Sequence, residues 1–134
     1  MTLVVDGMNV IGSRPDGWWR DRTGAALRLA DRLVPLAGGA EPVVLVLDGR
    51  PSERLGEGER DGVTVLFARR GGRDAADDRI VELVQELLDE SRDEPQEPGD
   101  VVVATSDRAL AERVGQAGGR VITAGELLRR LDQA

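Results

Sequence analysis

The sequence predicts a three-layer α/β/α domain built on a mostly parallel sheet. Short apolar runs rich in valine alternate with amphipathic stretches at helical spacing, the βα alternation of a sheet covered on both faces. Two of the runs, residues 43–47 and 101–104, are wholly apolar, as expected of strands buried on both sides. The 134 residues, 40% of them apolar, suit one domain, residues 1–134, with a real core.

Each element follows from its local pattern. Residues 3–5 make a short strand that ends at Asp6-Gly7. Over residues 23–36, Ala26, Leu27, Leu29, Ala30, Leu33 and Val34 recur at helical spacing, and Pro35 and Gly38-Gly39 are expected to stop the helix. Residues 43–47 form a strand ending at Asp48-Gly49, and residues 63–67 a third strand. Residues 74–91 form a long helix with Ile80, Val84, Leu87 and Leu88 on one face. Residues 89–100 are acidic and contain proline, which predicts a solvated, mobile connector. The strand 101–104 leads at once into Thr105-Ser106-Asp107 and a helix over 108–116, which Gly118-Gly119 stops. Val121-Ile122 reads as a last short strand and 124–131 as a closing helix, with no internal repeat.

Composition excludes much chemistry. Without cysteine there is no disulfide framework and no thiolate metal site. Without histidine there is no imidazole base, no serine-type triad and no imidazole-bound zinc. All 18 basic residues are arginine, which excludes Schiff-base chemistry and a phosphate-loop lysine. Catalysis at neutral pH must therefore use carboxylates, hydroxyls, arginine or a bound metal. The net charge of -7 argues against broad affinity for nucleic acid but leaves room for a local arginine cluster. The chain runs directly into a strand, and no apolar run approaches the roughly 18–20 residues of a membrane span. It reads as cytoplasmic.

In an open parallel sheet, ligands bind outside the carboxyl ends of the strands, where strand order reverses. Three strands deliver an aspartate there: Asp6, Asp48 and Asp107. On the long helix, Asp77 lies one turn before Ile80 and Val81 and so belongs to the inward face, with Asp74 one turn earlier. Asp78 is rotated about 100° away, toward solvent. A carboxylate on an inward face needs a counter-charge, and a divalent metal supplies one. Simpler roles exist for each. Asp48 before glycine suits a turn, Asp107 suits a helix N-cap, and Asp74 and Asp77 suit a helix start. Asp6 together with Asn9 exceeds what a turn requires. Arg69, Arg70 and Arg73, with Gly71-Gly72 between, make either a phosphate clamp or a solvated charged loop. Trp18-Trp19 suits stacking on a base or covering the core edge.

The stretch Leu3-Val4-Val5-Asp6-Gly7-Met8-Asn9-Val10-Ile11-Gly12 resembles the start of NYN domains, in particular the YacP-like branch of the PIN-like nuclease superfamily. Val44-Leu45-Val46-Leu47-Asp48, Asp74-Ala75-Ala76-Asp77-Asp78-Arg79-Ile80 and Val103-Ala104-Thr105-Ser106-Asp107 follow in the same order, so the likeness spans nearly the whole chain. Two positions depart from the branch: Met8 stands where tyrosine is common, and Asp48-Gly49-Arg50 differs from the usual segment. The resemblance implies a PIN-like fold and metal-dependent endoribonuclease activity, in one branch on messenger RNA at the ribosome. It implies that Asp6, Asp77 and Asp107 hold Mg²⁺ or Mn²⁺, and that Asn9 orients the first carboxylate or the scissile phosphate. Asp74 or Ser106 would assist through water.

The leading expectation is therefore hydrolysis of RNA phosphodiester bonds by a metal-activated water, with the loop arginines neutralising flanking phosphates. The alternative is a PIN-like module that binds RNA or a protein without cutting. A phosphoacceptor receiver would need a lysine, and a dinucleotide-binding fold a G-x-G-x-x-G turn; the chain has neither in place.

Overall fold

The computed structural model describes residues 1–39, 41–68, 74–90 and 100–133. In chain order the elements are β1 (Thr2–Asp6), α1 (Gly7–Gly12), a 3-10 turn (Trp18–Arg20), α2 (Arg22–Ala37), β2 (Val43–Leu47), β3 (Gly58–Arg60) and β4 (Val63–Phe67). Then come α3 (Ala75–Glu90), β5 (Val101–Ala104), α4 (Arg108–Gln116), β6 (Arg120–Ile122) and α5 (Ala124–Gln133).

One sheet of six strands has the order β3-β4-β2-β1-β5-β6, parallel throughout except for the antiparallel β3–β4 edge. From β1 the chain builds outward through β2 to β4. It then returns along α3 to place β5 on the other side of β1. Strand order thus reverses between β1 and β5, which opens a crevice at their carboxyl ends.

Alternation along each strand divides the core in two. Leu3, Val5, Leu45, Leu47, Val65 and Phe67 face α1, α2 and α5, whose Val10, Leu29, Leu33 and Leu127 complete that layer. Val4, Val44, Val46, Val101 and Val103 face the opposite way, against Ile80, Leu83 and Val84 of α3 and Leu110 and Val114 of α4. This is the mostly parallel three-layer architecture that the apolar runs imply. Burial of these aliphatic side chains, each of the order of 1.5–3 kcal/mol, is the main force holding it.

Some features differ from the sequence pattern. Pro35 does not stop α2: it sits in the last turn, and Gly38 N–H bonds to Val34 O at 3.0 Å to close the helix beyond it. The missing proline donor costs little there, because Asp31, one turn before it, lies exposed to water. β3 is short, polar and exposed, so it carries no apolar signal. Asp89 and Glu90 belong to α3 rather than to the acidic connector, whose residues 91–99 lie outside the described residues. No helix among the described residues is long and apolar enough to cross a membrane.

The short α1 is not marked by the sequence pattern, which shows only a turn after Asp6. Gly7 makes it possible: a Cβ there would meet Leu47 Cδ2 at 2.6 Å and Val46 O at 2.9 Å, so only glycine lets α1 start directly over β2. Gly7→Ala should lower stability by about 1–3 kcal/mol through overpacking. Gly115→Ala, inside α4 with nothing within 4 Å of its Cβ position, should raise it by about 0.5–1 kcal/mol. Urea unfolding of the two variants checks both signs.

Candidate active site

Asp6 ends β1 on the same face as Val4, toward α3 and α4, and is only 5% exposed. Across the crevice, β5 pairs Val103 with Val4 and Ala104 with Val5, so the next residue, Thr105, comes level with Asp6. The Thr105 hydroxyl donates to Asp6 Oδ2 at 2.8 Å and accepts the Asp107 backbone N–H at 3.1 Å. The Asn9 backbone N–H is a further donor to the Asp6 carboxylate. Asp107 Oδ1 accepts from Leu110 N–H at 3.1 Å, which caps α4.

A second set of bonds fixes the turn after β5. Asn9 Oδ1 accepts the Ser106 N–H at 2.8 Å, and Ser106 Oγ accepts the Ala124 N–H at 3.0 Å at the start of α5. Asn9 and Ser106 therefore tie α1, the β5–α4 turn and α5 together at the crevice.

Among the described residues, charge is poorly compensated there. Burial is the largest cause that pushes the Asp6 carboxyl up from 3.8 to about 6, and repulsion from Asp77 and Asp107 adds to it. The bonds from Thr105 and Asn9 oppose the rise without cancelling it. Asp77, at the start of α3, is also raised, first by burial and then by Asp107 and Asp74, with Arg113 acting against them. Asp78 points outward and pairs with Arg113 at 2.9 Å.

The structure thus links Asp6, Asn9, Ser106 and Asp107 through one hydrogen-bonded network with Thr105, and brings Asp77 within electrostatic range. Asp74 is exposed and acts on Asp77. Asp48 stands apart, exposed on a bend and lining a different cavity with Met8 and Phe67. Arg69, Arg70 and Arg73 lie outside the described residues. Trp18 packs on the core edge with Arg22 5.5 Å over its ring, while Trp19 is 54% exposed. Thr105 is a site residue that no local sequence pattern marks. Its signal is the register of β5 against β1.

The donor set fits a hard divalent cation in kind: all oxygen, with a buried anion that no basic group among the described residues neutralises. It is not closed as it stands, since no three acidic side chains among the described residues are already spaced to hold an ion.

The YacP-like NYN domain model matches residues 3–134. The chain belongs to the YacP-like NYN family. The NYN domains are PIN-like and generally nucleases, and PIN-like nucleases typically use divalent metals. Two crystal structures of Rae1 (YacP) from Bacillus subtilis share the fold of this YacP-like domain. A tryptophan-to-leucine mutant is 26% identical with a TM-score of 0.73, covering 99% of this chain and 75% of that one. The other is 25% identical with a TM-score of 0.71, covering 99% and 74%. No curated protein matches.

The raised Asp6 pKa has a definite consequence for stability. Between 3.8 and about 6 the folded chain holds a proton that the unfolded chain releases, so stability falls as pH rises through this window and is flat above it. A shift of this size corresponds to about 3 kcal/mol. In chelator, Asp6→Asn should therefore be more stable than the native chain at pH 7 by up to about that amount. The advantage should vanish near the unfolded carboxyl pKa. Thermal unfolding across pH reads it directly, and an unchanged or lower midpoint at neutral pH would contradict the assignment.

Proposed function

We propose that this domain is a metal-dependent endoribonuclease that hydrolyses RNA phosphodiester bonds at the β1–β5 crevice. The observation that carries the reading is the buried Asp6 carboxylate, destabilised as an anion and repelled by Asp77 and Asp107 at a strand-order reversal. Membership in a nuclease family and the lack of histidine, cysteine and lysine support the same chemistry.

Asp6, Asp77 and Asp107 would hold Mg²⁺ or Mn²⁺, with Asp74 at the rim. The cation would supply a water of lowered pKa for attack on phosphorus and screen the charge on the departing oxygen. The chain's own groups set the geometry. Thr105, bonded through its hydroxyl to Asp6 Oδ2, would hold the carboxylate in one rotamer. Asn9 holds Ser106 by its backbone N–H and so sets the turn that carries Asp107. Asn9 is thereby a positioning residue first. Ser106 Oγ, bonded to Ala124 N–H, sits beside the same turn and would orient a water or a phosphate oxygen.

The alternative, a module that binds RNA or protein without cutting, is favoured by the engagement of Asp107 as the α4 cap and by the open spacing of the acids. Magnesium-stimulated cleavage of a labelled RNA panel separates the two. Asp77→Asn should reduce that cleavage by at least about 100-fold, the scale lost with a group that stabilises transition-state charge. Its circular dichroism and unfolding midpoint should stay native-like or rise. Full activity in the purified variant would overturn the role of Asp77, and no cleavage by the native chain with Mg²⁺ or Mn²⁺ would leave the binding module.

A further inference from the structure

A cavity of about 200 Å³ opens at the same edge of the sheet, on the face covered by α1 and α2. Its floor is apolar, made by Met8 of α1 and by Leu47 and Phe67, the last residues of β2 and β4. Its rim is polar, with Arg22 and Thr23 from the start of α2 and Asp48, Arg50 and Ser52 from the segment after β2. The rim turns sharply because Gly49 takes φ +85°, a conformation that side chains disfavour. Asp6 pairs with Val46, the residue before Leu47, so the cavity wall lies on the order of 10 Å from the Asp6 carboxylate, around the carboxyl edge of the sheet on its other face. That is the reach from a phosphate to the base of an adjoining nucleotide.

We propose that this cavity is a nucleobase subsite, selective for guanine, next to the crevice that holds the scissile phosphate. It rests on the nuclease reading above and adds where a neighbouring base goes. The volume is below the ~300–1,000 Å³ of pockets for drug-sized ligands, so it admits a flat ring and leaves the sugar and phosphate outside. An apolar floor suits the face of a base, whereas a simple anion or cation would gain nothing from Leu47 and Phe67. The rim chooses among bases. Guanine presents two N–H donors side by side, which match the two oxygens of the Asp48 carboxylate. Its other edge carries the O6 and N7 acceptors, which match a guanidinium such as that of Arg50. No other base offers both pairs at once. Asp48, set apart from the acids of the crevice, acquires a role in this arrangement as a reader of sequence.

Nucleoside monophosphates test the subsite by binding alone. In protein with isotope-labelled methionine methyl groups, Met8 reports from the floor and Met1, 46% exposed at the chain start, serves as control. Guanosine monophosphate should shift the Met8 signal saturably and leave Met1 in place, with adenosine, cytidine and uridine monophosphates weaker. Asp48→Ala should weaken the guanosine response by about tenfold or more, as loss of a bidentate base contact does. No saturable shift at Met8 with any nucleotide, equal binding of all four, or an unchanged response in Asp48→Ala would overturn the proposal. Cleavage is scored separately on the same preparation. An active nuclease with a silent Met8 loses the subsite only, and binding at Met8 without cleavage loses the nuclease reading only.

Discussion

A carboxylate buried at the end of the central strand is the constraint around which this domain is arranged. Asp6 sits where β1 is flanked on both sides by parallel neighbours, in the one crevice that the reversal of strand order leaves open. An anion removed from water is costly unless hydrogen bonds or an opposite charge compensate it. Here the Thr105 hydroxyl and the Asn9 N–H compensate only in part, and two further acids press on the same space. Among the described residues, unfavourable charge is thus concentrated at one fixed point.

Backbone-directed hydrogen bonds, more than ion pairs, hold that point in place. Asp6, Thr105 and Asp107 join β1 to the β5–α4 turn, and Asn9, Ser106 and Ala124 join the same turn to α1 and α5. Such bonds are each worth about 0.5–1.5 kcal/mol and have narrow geometry. The ion pairs are different. Asp78–Arg113 and Arg14–Asp132 join side chains roughly half exposed, where solvent screening leaves them little energetic weight. Arg113 matters to the site through its field on Asp77, which opposes the repulsion from Asp107 and Asp74.

What the sequence made legible follows from the range of the signals. The strands and the large helices are local patterns, read from apolar runs and helical spacing. The inward setting of Asp77 and the outward one of Asp78 come from counting turns along α3. The role of Thr105 is different in kind, because it depends on a register between strands whose bonded residues are 99 positions apart. Asp48 shows the opposite case. It follows an apolar strand just as Asp6 does, but the chain bends at Gly49 and carries it to another cavity. The α1 helix is too short to show a period, and β3 has no buried face to leave a pattern. That Asp107 caps α4 was one of two roles its position allowed, and the cap and the charge coupling to Asp6 occur together.

The most direct test is a crystal structure of the chain soaked in Mn²⁺, with anomalous scattering to locate the ion. The expected result is a peak at roughly 2.0–2.2 Å from Asp6 oxygen, shared with a carboxylate of Asp77 or Asp107. A peak held by other residues, or none at saturating Mn²⁺, would contradict a common ion pocket at the β1–β5 crevice.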